Sequence, residues 1–198
     1  MKTVKRMDEV GCFSPADRQD WRQWLELYHA KEEAVWVIFF KKKSPKFNLS
    51  WTHAVDEALC FGWIDSVKKS IDSATYKQYF TRRKPKSIWS KVNKEKVALL
   101  TAQGLMQTAG QQCVEIAKEN GSWDFLNDVD NLVIPADLAA AFQEDAIAAN
   151  YFEGLSNSSK KGLLYWILSA KRSPTRHKRI AEIVANAREC QLPKPFRT

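Results

Sequence analysis

The apolar positions of this chain follow a helical spacing in some stretches and a strand spacing in others. Apolar residues at i, i+3, i+4 and i+7 begin behind Ser14, which can cap a helix, with Pro15 at the first helical position. The segment 34–40 is apolar at both alternating sets of positions, which predicts a strand covered on both faces. A second helix is predicted to begin after Ser50 and to stop at Gly62.

A hairpin and then a run of helices are predicted for the rest of the chain. The segments 63–71 and 76–81 have strand character and are joined by the turn residues 72–74. From residue 93 onward the pattern is helical. The fold class predicted is therefore α+β, with a small mostly antiparallel sheet and packed helices followed by a helical C-terminal module. Helices are predicted to begin at Asn93, Thr108, Pro135, Ser156 and Ser173, with stops at Gly104 and Gly121.

The 198 residues are many for one simple domain and few for two. Acidic and amide side chains between residues 121 and 135 suggest an exposed connection. We expect an α+β N-terminal region with a basic hairpin and loop at residues 1–122 and a helical region at residues 123–198. The alternative is that both form one compact unit.

The apolar stretches and the cysteines indicate in which cellular compartment the protein is expected. No apolar stretch reaches the ~18 residues that span a bilayer, so we expect no membrane span. The charged segment 1–8 has no apolar stretch behind it and does not predict a signal peptide. The cysteines lack the close spacing of metal sites and disulfide frameworks, so we expect buried free thiols, no metal, no cofactor and a cytoplasmic location. They are Cys12, Cys60, Cys113 and Cys190.

Charge is segregated along the chain, whose formal net charge is +8. Residues 66–96 contain ten Lys or Arg against two acids, and residues 154–181 contain seven against none. Residues 113–153 carry nine acids and one base. Such segregation indicates the sign of a partner and says nothing about the fold.

Two basic segments are the candidate binding sites. In the segment 82–91, cations could neutralise phosphates, and an exposed Trp89 could stack on a base; the alternative is a solvated loop with Trp89 buried. The second segment precedes the last helix, whose N-terminus favours anions. There the alternative, which we favour, is that Arg176 or Arg179 clamps an acid such as Asp65 or Asp137. The candidate anion-binding residues are Arg82, Arg83, Lys84, Lys86, Trp89, Lys91, Lys171, Arg176 and Arg179.

A weaker hypothesis is a catalytic cleft. His53, Glu57 and Cys60 share roughly one helical face, as in a thiol nucleophile with its base and an orienting carboxylate. Core packing of Cys60 is the favoured alternative, because its neighbours are apolar. Asp65 follows nearby and could face Glu57, but we favour neutralisation of an arginine such as Arg82 or Arg83 by one of these acids.

Three ordered motifs resemble the YdeI/OmpD-associated bacterial protein family, also described as bacteriocin-protection proteins. The first is EALCFGWID at residues 57–65, and the second is SIWSKVN at residues 87–93. The third begins with VIPADL at residues 133–138, so the resemblance runs from about residue 14 to residue 185. It departs at Arg82, where the family usually has a proline. The third motif continues with Phe152, Ala170, Lys171, Thr175, Arg176, Arg179 and Ile180.

The resemblance implies a link with bacteriocin or antimicrobial-peptide resistance and supplies no catalytic residues. The implied porin contact would require an envelope location, and we discount it because the chain has no export signal. We therefore favour a non-catalytic cytoplasmic protein in stress or bacteriocin protection that binds an anionic partner through its basic surface. The alternatives are an enzyme of unknown reaction, a nucleic-acid-binding protein, and an interaction module in which the acidic segment meets a basic patch. The oligomeric state stays open.

Overall fold

A computed structural model of the protein describes residues 7–197. The chain divides into two compact units, the first ending at Asp124 and the second beginning at Phe125. The predicted assignment of 1–122 and 123–198 as domains stays a prediction. Residues 1–6 of the segment assessed as a signal peptide lie outside the described residues.

The N-terminal unit is a four-stranded sheet with helices. Its strand order is β1-β2-β4-β3, and only the short β1 pairs in parallel with its neighbour β2. This arrangement confirms the predicted α+β class and the mostly antiparallel sheet. After a 3₁₀ turn at Met7–Glu9, the elements are β1 (Cys12–Phe13), α1 (Arg18–Tyr28), β2 (Ala34–Phe40), α2 (Trp51–Cys60), β3 (Trp63–Ser70), β4 (Thr75–Arg82), α3 (Lys91–Ala102) and α4 (Thr108–Glu119).

One face of the sheet carries the core of this unit. Val35, Val37 and Phe39 alternate along β2 and join a buried cluster with Trp21 of α1. The Trp21 indole N–H donates to the Ala54 carbonyl at 3.0 Å, so the polar atom of this fully buried ring is satisfied. These contacts pack α1 and α2 on the same face of the sheet.

The β3–β4 hairpin is shaped by its turn. An Asp72 carboxylate oxygen accepts from the N–H groups of Ala74 and Thr75, both at 2.7 Å. Such a side-chain to backbone bond is what Asp supplies in tight turns. Pairing is irregular between Asp65 and Lys68, where β3 contains a bulge.

The C-terminal unit is helical. Its buried cluster includes Leu138, Phe152, Ile167 and Ile183, one from each of its four longer helices. Its elements are α5 (Asn127–Asp130), α6 (Ala136–Gln143), α7 (Ala146–Gly154), α8 (Asn157–Leu168), α9 (Ser173–Arg188) and a 3₁₀ turn at Lys194–Phe196.

Some of the predicted helix caps are confirmed and others are wrong. The Ser50 side chain caps α2, accepting from the His53 N–H, as predicted. The predicted cap Ser14 is wrong, since Asp17 caps α1, and Asn93 is wrong, since Ser90 caps α3. In each case a nearby residue offers an equivalent oxygen acceptor.

Two further features of the helices concern the second half of the chain. α7 begins at an unpredicted cap, Asp145, whose carboxylate accepts from the Ala148 N–H at 3.0 Å. The N-cap of α9 is Arg172, one residue before the predicted Ser173. Across residues 7–197, no helix combines the length and apolarity that crossing a membrane requires.

Candidate functional site

A buried carboxylate organises the N-terminal unit. Glu57 of α2 is 3% exposed and accepts from Arg18 Nε at 2.5 Å and from an Arg22 terminal nitrogen at 2.7 Å. Arg22 also donates to the Leu105 carbonyl at 3.2 Å, and its guanidinium lies over the Phe61 ring. Glu57 thus neutralises arginines, but they are Arg18 and Arg22 of α1 and not Arg82 or Arg83, which the sequence suggested as examples.

The Cys60 thiol lies beside this cluster and is fully buried. Burial, followed by the negative charge of Glu57, raises the pKa of Cys60 to about 11, although Arg22 opposes the shift. A thiol with that pKa is protonated at neutral pH and is a poor nucleophile. The packing of Cys60 among core residues therefore matches the core alternative more closely than a catalytic thiol.

The other two residues of the cleft hypothesis lie elsewhere. His53 is exposed on α2, and in the described structure it forms no hydrogen bond with Cys60. An Asp65 oxygen accepts from the Trp51 indole and the Gln78 amide, both at 2.9 Å. The structure therefore brings together Glu57 and Cys60 but not the full set of four side chains.

The two arginines of the first basic segment make internal contacts. Arg82 donates to the carbonyls of Glu32 at 2.7 Å and Ala30 at 3.2 Å, which fixes the turn before β2. Arg83 is 8% exposed, and its guanidinium lies 3.7 Å from the centre of the Trp89 ring. Burial lowers the pKa of Arg83 to about 10.

Trp89 is buried and packs against Trp123 as well as under Arg83. It therefore offers no free face on which a base could stack. Among residues 7–197, the guanidinium of Arg83 donates one hydrogen bond, to the Ile88 carbonyl at 3.2 Å, and its Nε has no partner. The aromatic part of the predicted site is thus a structural pair.

Three lysines of the same segment remain available to solvent. Lys84, Lys86 and Lys91 are exposed. In the part of the chain that the structure describes, none of these three lysines forms an ion pair with a carboxylate. The ion pairs found there involve other lysines. The paired lysines are Lys69, Lys96, Lys160 and Lys161.

In the second basic segment, too, the arginines make internal contacts while a lysine is exposed. Arg176 of α9 clamps Asp137 of α6 through two hydrogen bonds of 2.6 and 2.8 Å, and it lowers the pKa of Asp137. Arg179 donates to Ser169 Oγ at 3.0 Å and to the Trp166 carbonyl at 2.5 Å. Lys171 is exposed before α9. The clamp lies within the C-terminal unit and ties α6 to α9.

Sequence reasoning missed part of this picture. Arg18 and Arg22 occupy the i and i+4 positions of α1, a spacing that marks a shared face but does not reveal the buried carboxylate they meet. The expectation of buried thiols is wrong for Cys12 and Cys190, which are exposed, while all four cysteines are free. Among the described residues, no group of three His, Cys, Asp or Glu side chains could hold a metal ion.

Two family models match the chain, one within each compact unit. Residues 13–113, half of the chain, match the model of a domain of unknown function (DUF8412), so this α+β chain belongs to that family. Residues 131–189 match the family described as bacteriocin-protection, YdeI or OmpD-associated, which confirms the predicted relationship for the helical unit. The motifs at 57–65 and 87–93 fall within the first match.

No curated protein and no solved structure gave a match.

Proposed function

We propose that this protein is a non-catalytic binding protein that recognises an anionic partner through the exposed lysines of the basic segment 84–91. Lys171, in the basic segment before α9, is a separate candidate. The proposal rests on which cations of the basic segments are exposed and which are held in internal contacts. The arginines are held in internal contacts, whereas Lys84, Lys86 and Lys91 are exposed and have no carboxylate partner among the described residues. Cations in that state attract and neutralise an anionic ligand.

The proposal places this binding in a cytoplasmic stress or bacteriocin-protection context. Support for the context comes from the description of the family matched by residues 131–189. Support for a reducing compartment comes from the four free cysteines, two of them exposed.

A nucleic acid is the polyanion that tests the proposal most sharply, because its affinity depends on salt in a known way. The assay is fluorescence anisotropy with labelled single-stranded and double-stranded oligonucleotides and a labelled heparin fragment, at about 50 and 200 mM salt. We expect one of these probes to bind, and the binding to weaken steeply as salt rises.

The matched variants are K84A/K86A/K91A and K42A/K43A/K46A, which remove the same charge from two different exposed places. We expect the first variant to weaken binding and to reduce the salt slope by about 2 to 3. The second should retain most of the affinity. Equal loss in both variants, or no binding of any probe at low salt, would contradict the proposal.

A further inference from the structure

A second exposed surface lies at one end of the sheet and combines cations with apolar side chains. We call it the tip surface. Lys42, Lys43, Lys46 and Phe47 come from the loop between β2 and α2, and Ile71 comes from the β3–β4 turn. Ile71 lies far in sequence from the other four residues, and the fold joins the two segments that carry them.

Hydrogen bonds hold the loop beside the turn. The Lys41 N–H donates to the Ala74 carbonyl and its ammonium group donates to the Ser73 carbonyl, both at 2.8 Å. The base of the loop is closed by Asn48, which accepts from the Phe40 N–H at 3.0 Å and donates to the Ile38 carbonyl at 3.1 Å. The residues between 41 and 48 therefore project from the end of the sheet that carries the hairpin turn.

Two successive tight turns make this loop compact. The Ser44 N–H donates to the Lys41 carbonyl at 2.7 Å, and the Phe47 N–H donates to the Ser44 carbonyl at 3.1 Å. Phe47 is therefore kept close to Lys41, and through it to the turn that carries Ile71. Despite this ordered backbone, Phe47 and Ile71 remain 47% and 49% exposed.

The charge around these apolar side chains is positive. Lys42, Lys43 and Lys46 are exposed and form no ion pair in residues 7–197. The acid of the turn, Asp72, directs its carboxylate to Thr75 and Ala74, and a hydrogen bond from the Thr75 side chain, followed by the two backbone N–H groups, lowers the pKa of Asp72. Paired exposure of large apolar residues within a cationic surface is typical of contact with an anionic interface that also has an apolar layer.

We propose that the tip surface docks on a membrane that contains anionic lipids. The three lysines meet the phosphate headgroups, and Phe47 and Ile71 enter the boundary between headgroups and acyl chains. A nucleic acid would use the lysines and could stack on Phe47, but it offers nothing to the aliphatic Ile71. This site shares no residue with the segment 84–91, so each proposal can fail without the other.

The test is sedimentation of the full chain with phosphatidylcholine vesicles, with and without about one third phosphatidylglycerol. We expect binding only to the anionic vesicles. K42A/K43A/K46A should reduce that binding on the order of 100-fold, since each of the three lysines near the surface contributes about a fivefold attraction. F47S/I71S, which leaves the net charge unchanged, should reduce it on the order of 10-fold.

The charge-matched control is K118A/K178A/K194A, which removes three exposed lysines that belong neither to the tip surface nor to the segment 84–91 and should bind anionic vesicles like the unmodified protein. Far-ultraviolet circular dichroism verifies the fold of each variant, and all the substituted positions are exposed. Absence of binding to anionic vesicles would overturn the proposal, as would equal losses in the tip and control variants. An oligonucleotide affinity that depends on the tip residues while vesicle binding does not would reassign the surface to nucleic acid.

Discussion

The buried carboxylate of Glu57 gives the sharpest prediction for stability. Glu57→Gln keeps the shape of the side chain but removes the charge that faces Arg18 and Arg22. The Arg22 side chain, which is 16% exposed, then keeps only the half-exposed Glu26, at 3.4 Å, as a carboxylate partner among the described residues. Removing one partner of a buried ion pair costs about 3–5 kcal/mol. Because the Arg18 side chain is 40% exposed and can be solvated, we expect the lower end, about 3 kcal/mol.

The assay is urea unfolding followed by tryptophan fluorescence. Seven of the eight tryptophans precede residue 124, so the signal reports mainly on the unit that contains Glu57. Glu26→Gln is the matched control, because Glu26 also pairs with Arg22, at 3.4 Å, but is half-exposed. We expect this control to change the free energy of unfolding by less than about 0.5 kcal/mol.

A second readout follows from the neighbouring thiol. The Glu57 charge contributes to the raised pKa of Cys60, after burial, so Glu57→Gln should lower that pKa. Alkylation rate against pH, followed at the Cys60 peptide by mass spectrometry, measures the change. Equal stability of the Glu57→Gln and Glu26→Gln variants, with an unmoved Cys60 pKa, would refute the account of this cluster.

Three further predictions concern single residues. Gly62→Ala should cost about 2 kcal/mol or more in unfolding free energy, because φ is +73° and the new Cβ would lie 2.6 Å from Cys113 Sγ. Gly104→Ala, with φ of +68° and open space, should cost about 1 kcal/mol, and equal losses would contradict the argument. Arg83→Met should retain or raise stability, since burial disfavours the charge of Arg83 and no carboxylate of the described residues forms an ion pair with it. A loss above about 1 kcal/mol in urea unfolding would contradict this prediction. Hydrogen bonds from Arg176 lower the pKa of Asp137 below that of an ordinary carboxyl group. The stabilisation they give to the folded state is therefore complete above the ordinary carboxyl pKa and is lost as pH falls through the lowered pKa of Asp137. Asp137→Asn should weaken this acid dependence in circular-dichroism unfolding curves, and an unchanged dependence would exclude Asp137 as its source.

Local patterns were sufficient to predict most of the fold. The apolar segment 34–40 is strand β2 with the predicted bounds, and the hairpin pairs as the turn residues 72–74 indicate. The separation of α6 from α7 was missed, because Asp145 interrupts an alanine-rich stretch that is helical on both sides. An Asp in an alanine-rich stretch is equally compatible with a surface position of one continuous helix, so the residue type did not by itself specify the cap.

The candidate site was less predictable, because it depends on contacts between distant residues. Glu57 meets arginines 35 and 39 positions earlier in the chain, and no local spacing specifies that pairing. The cations of the segment 82–91 are not distinguishable in sequence. In the structure, Arg82 and Arg83 make internal contacts, whereas Lys84 is exposed. Sequence gives the charge of such a segment, whereas burial decides which charges reach solvent.

The exposed lysines of the segment 84–91 are proposed to bind an anionic partner. The most direct measurement is the salt dependence of polyanion binding for the unmodified protein and the K84A/K86A/K91A variant, by fluorescence anisotropy. We expect the affinity of the unmodified protein to fall as salt rises, and both the affinity and the salt slope to be smaller in the variant. An identical affinity and slope for the two proteins would contradict it.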